Sequence, residues 1–111
     1  MNLKISTHEA TESNRLILLL VISLTVALKE GTLDIEGTEN LLFSPYTKKK
    51  LNDMGVDKNI IQIIGLGCEL EDIESLIPEK LEESIDEILT MALSELKQLD
   101  CVKISVKKWV D

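Results

Sequence analysis

Leu16-Ile17-Leu18-Leu19-Leu20-Val21-Ile22-Ser23-Leu24-Thr25-Val26-Ala27-Leu28 is the stretch whose reading decides the fold. Its thirteen residues fall short of the ~20 that an α-helix needs to cross a bilayer. The run is apolar on nearly every helical face, which a helix tolerates when other helices surround it. The expectation is therefore a central core helix. Glu9 and Glu12 precede the run and Lys29-Glu30-Gly31 follow it, unlike the basic, apolar and small-residue order of an export signal, so a cytoplasmic protein is expected.

Around that helix the chain of 111 residues has room for one domain, spanning 1–111, and one core. Apolar residues make up 44% but aromatics only 3%, so the core is aliphatic, which favours helices over a β-sandwich. The fold class that follows is mainly α, a compact bundle of about five helices around the central apolar one.

Local signals divide the rest. Ser6 with Glu9 has capping-box spacing, and Thr11 or Ser13 offers a later start for the first helix, which Gly31 ends. After an extended link at 32–35, a short helix covers Glu36 to Phe43. Ser44-Pro45 supplies a cap and a first-turn proline for the next, which runs to about Met54 and Gly55. Asp57 caps a helix carrying Ile60, Ile61, Ile63 and Ile64, with a tight corner expected at Gly65-Leu66-Gly67. Glu69 to Leu76 forms another short helix, with Leu70, Ile73, Leu76 and Ile77 on its apolar side. Pro78 opens the last long one, whose stripe is Leu81, Ile85, Ile88, Leu89, Ala92, Leu93, Leu96 and Leu99. Val102, Ile104 and Val106 then alternate with polar residues, a strand pattern. Leu3-Lys4-Ile5 is the candidate partner for a small two-stranded sheet from the chain ends; a frayed tail or pairing with another chain are the alternatives.

The net charge of −8 is concentrated. Residues 1–68 sum to −1 and residues 88–111 to +1, whereas residues 69–87 carry nine acids against Lys80 alone. The nine are Glu69, Glu71, Asp72, Glu74, Glu79, Glu82, Glu83, Asp86 and Glu87. Crowding of this kind costs folding energy, and a partner with a basic surface offsets it; a solvated helix face is the plainer alternative. Direct nucleic-acid binding is disfavoured, because Lys48-Lys49-Lys50 is the one basic cluster.

Catalytic patterns are absent. The sole histidine, His8, lies near the N-terminus, and Cys68 and Cys101 fit neither a CxxC pair nor a zinc knuckle, so they read as buried thiols. Glu69 with Asp72, or Glu79 with Glu83, would share a helix face, but among other charges neither carboxyl acquires the raised pKa that acid–base catalysis requires. No calcium loop is present, and the glycines at 65 and 67 lack the Gly-Lys-Ser/Thr of a phosphate loop. No enzyme, cofactor or metal site is expected. Phe43 and Tyr46 flank a helix junction and read as packing residues, whereas Trp109 beside Lys107 and Lys108 suits an interface.

Leu42-Phe43-Ser44-Pro45-Tyr46-Thr47, Leu66-Gly67, and Glu69 through Leu81 together resemble a family of short bacterial proteins of undescribed function, over about residues 12 to 95. That resemblance implies a helical fold and carries no catalytic residue across. In size, acidity and lack of catalytic groups the chain is also similar to immunity proteins that neutralise secreted or contact-delivered toxins. It implies a non-enzymatic inhibitor whose nine acids at 69–87 dock a basic toxin domain, a nuclease above all, with no membrane or nucleic acid bound directly. A structural or regulatory adaptor that self-associates through its C-terminal tail is the alternative, and the oligomeric state stays open.

Overall fold

A computed structural model of the chain describes the backbone of residues 7–107 and the side chains of residues 12–99. The elements are α1 (Thr7–Glu30), α2 (Ile35–Leu41), α3 (Pro45–Asp53), α4 (Lys58–Cys68), α5 (Leu70–Leu76), a 3-10 turn (Pro78–Lys80) and α6 (Leu81–Lys107). The mainly helical class holds, but the expected number of helices does not. Four helices have nine residues or more, and α2 and α5 are seven-residue pieces.

Local signals fix most boundaries. Asp34, Ser44 and Asp57 each accept a hydrogen bond from a backbone N–H in the first turn of the helix that follows, from Gly37, Thr47 and Asn59 respectively. Gly31 and Gly55 sit at φ +79° and +85°, backbone that glycine adopts without a steric penalty, and end α1 and α3.

The core is aliphatic apart from Phe43. Leu18 and Val21 of α1, Ile60, Ile63 and Ile64 of α4, Leu70 of α5, and Ile85, Ile88 and Ala92 of α6 pack around it. Two threonines are buried with them, each with its hydroxyl satisfied inside its own helix. Thr25 donates to the carbonyls of Val21 and Ile22, and Thr38 to that of Ile35.

Four expectations are corrected. First, α1 is not central. It packs against α6 and α4 and leaves one face in water, because one other long helix and four short ones do not surround a helix of 24 residues. Second, residues 102–106 are helical, so no sheet forms there, and among the described residues there is no strand. From Leu81 to Lys107 no Gly or Pro interrupts α6, and extending a formed helix costs far less than starting a new element. Leu3-Lys4-Ile5 and Trp109 lie outside the described residues.

Third, α4 runs straight through Gly65 and Gly67 rather than turning there. A Cβ on Gly67 would lie 2.5 Å from the ring of Phe43, so this glycine exists for the approach of the aromatic side chain. Fourth, Leu76, Ile77 and Tyr46 are exposed, and Lys50 Nζ stands 5.5 Å from the Tyr46 ring centroid. No helix among the described residues is long and apolar enough to cross a membrane.

Candidate functional site

The two shortest helices build the most acidic part of the surface. Ile35 anchors α2 in the core and Leu70 anchors α5, which sets the helices side by side. Glu36 and Glu39 stand three residues apart on α2, as do Glu71 and Glu74 on α5, so each pair shares one helix face. With Asp34 these four carboxylates line an open cleft of about 420 Å³.

The acids perturb one another. Partial burial pushes the Glu39 carboxyl above its ordinary value, and the adjacent Glu71 carboxylate raises it further by repulsion and by a shared hydrogen bond. Glu36 and Asp72 add to the effect.

The nine acids at 69–87 thus fall into two groups. Glu71, Asp72 and Glu74 belong with α2, and Glu69 stands exposed at the junction of α4 and α5. Glu79, Glu82, Glu83, Asp86 and Glu87 follow on the 3-10 turn and the first turns of α6, where the C-terminal end of α1 reaches them. Lys29 of α1 donates a 2.5 Å hydrogen bond to Asp86, which raises the lysine pKa, and Glu82 and Glu30 reinforce the rise. Among the described residues, Asp86 alone of the nine is in an ion pair.

Asp34, Glu36 and Glu39 escaped the sequence reading because they lie some thirty residues from the acidic stretch, and their pairing with it is a tertiary event. The signal that could have found them is the cap residue Asp34 followed by two acids at helical spacing.

The remaining candidates offer less chemistry. Cys68 is a half-buried free thiol whose pKa is raised by burial, with Lys48 opposing the rise and Glu39 and Glu69 adding to it. Neither the His8 nor the Cys101 side chain is among those described. Lys49 pairs with Asp53 one turn on, at 3.7 Å, on the exposed face of α3.

Residues 8–111 match one protein-family model, described as "Protein of unknown function (DUF3969)", a wider span than the resemblance read from the motifs. No curated protein and no solved structure matches the chain.

Proposed function

We propose, for a chain that belongs to the DUF3969 family, that it is a non-enzymatic binding protein that captures a basic protein partner on its acidic surface. The observation that carries this reading is the α2–α5 cleft. Two helices far apart in sequence bring Glu36 and Glu39 against Glu71 and Glu74, where partial burial first and repulsion from Glu71 second raise the Glu39 carboxyl. Folding alone gains nothing from such a cluster, whereas a cationic partner turns the repulsion into attraction and speeds encounter.

The partner class that fits is a bacterial toxin domain, a nuclease above all, because its phosphate-binding groove must be basic. The protein is then a cytoplasmic immunity protein. The expectation extends to Glu69, Asp72, Glu79, Glu82, Glu83 and Glu87 as the outer part of the docking surface, with Asp86 already engaged by Lys29.

The test starts from the gene beside this one: a toxin domain encoded there is co-expressed with the protein. Wild-type protein restores growth, and the double variant Glu36→Lys with Glu39→Lys does not. Both reversed residues then face Glu71 and Glu74, so the fold gains attraction while the cleft loses its charge. At low salt, association with the toxin domain slows by roughly an order of magnitude or more. Undiminished rescue and kinetics in the double variant would refute the reading, as would failure of the wild type to bind.

A further inference from the structure

We draw no further inference here: the strongest candidate, the exposed apolar face of α1 formed by Leu16, Leu19, Leu20 and Val26, carries nothing because nothing in the structure shows what covers it.

Discussion

Two glycines two residues apart in α4 are expected to respond to alanine with opposite signs. Gly67 lies against Phe43, and an added Cβ would meet three ring carbons at 2.5, 2.5 and 2.7 Å. Phe43 is fully buried between α2 and α3 and cannot swing away, so the helix must retreat by about 1 Å to restore ordinary contact. Overpacking of this kind costs up to about 3 kcal/mol, and the better helix propensity of alanine returns about 1 kcal/mol, for a net loss near 2 kcal/mol. Gly65 faces only the Lys48 Nζ at 3.1 Å and Cε at 3.4 Å, the far end of a flexible side chain. Gly65→Ala therefore keeps most of the propensity gain, up to about 1 kcal/mol. Urea unfolding monitored by circular dichroism reads both, and a 2 kcal/mol loss lowers Tm by roughly 10 °C in a domain of this size. In a double-mutant cycle, Phe43→Leu should relieve part of the Gly67→Ala penalty. Equal responses at 65 and 67, or a Gly67→Ala protein as stable as the wild type, would refute the aromatic-packing account.

Three other substitutions probe the acidic cleft and the helix caps. The Glu39 carboxyl is raised in the fold, so the native state holds that proton more tightly than the unfolded chain. Its contribution to stability is greatest below the ordinary glutamate value of about 4.3 and declines as pH rises through the raised value. Glu39→Gln should consequently gain stability relative to wild type across that window and keep the gain at neutral pH; a difference independent of pH would count against the repulsive cleft. Ser44→Ala removes the cap bond to Thr47 N at 3.2 Å and should cost about 1 kcal/mol. Asp34→Ala loses the equivalent bond to Gly37 N at 2.8 Å but also removes a charge from the cleft, so its thermal destabilisation should be the smaller of the two.

Helix boundaries were legible where one residue type has one local role. Ser44-Pro45, Asp57, Gly31 and Gly55 were read correctly because caps and positive-φ stops depend on a few neighbouring backbone groups. Gly65 and Gly67 look the same in sequence, yet Gly67 is fixed by Phe43, more than twenty residues away, whereas Gly65 meets only the end of Lys48. Alternation at 102–106 matched a strand over too short a span to outweigh the propagation of α6. The leucine run of α1 was read as helix correctly and as surrounded wrongly. Uniform apolarity shows that a helix can be buried on any face, not that neighbours exist to bury all of them. For the candidate site, the acids at 69–87 were visible as composition, but the α2 acids that complete the cleft become visible only when Ile35 and Leu70 enter one core.

The fold handles its acids in two ways, and the difference bears on which surface is available. Where α6 begins, α1 delivers Lys29 and neutralises Asp86. Between α2 and α5 no comparable base arrives from the described residues. Lys48 approaches from α3 closely enough to act on Cys68, beside Glu39 and Glu69, but makes no ion pair with them. Besides Glu79, Glu82, Glu83 and Glu87, the uncompensated charge therefore rests on two seven-residue helices too short to be stable alone, α2 held by buried Ile35 and Thr38 and α5 by buried Leu70. A cation docking there relieves repulsion in the part of the structure with the least helical stability of its own, so binding energy and local stability reinforce each other.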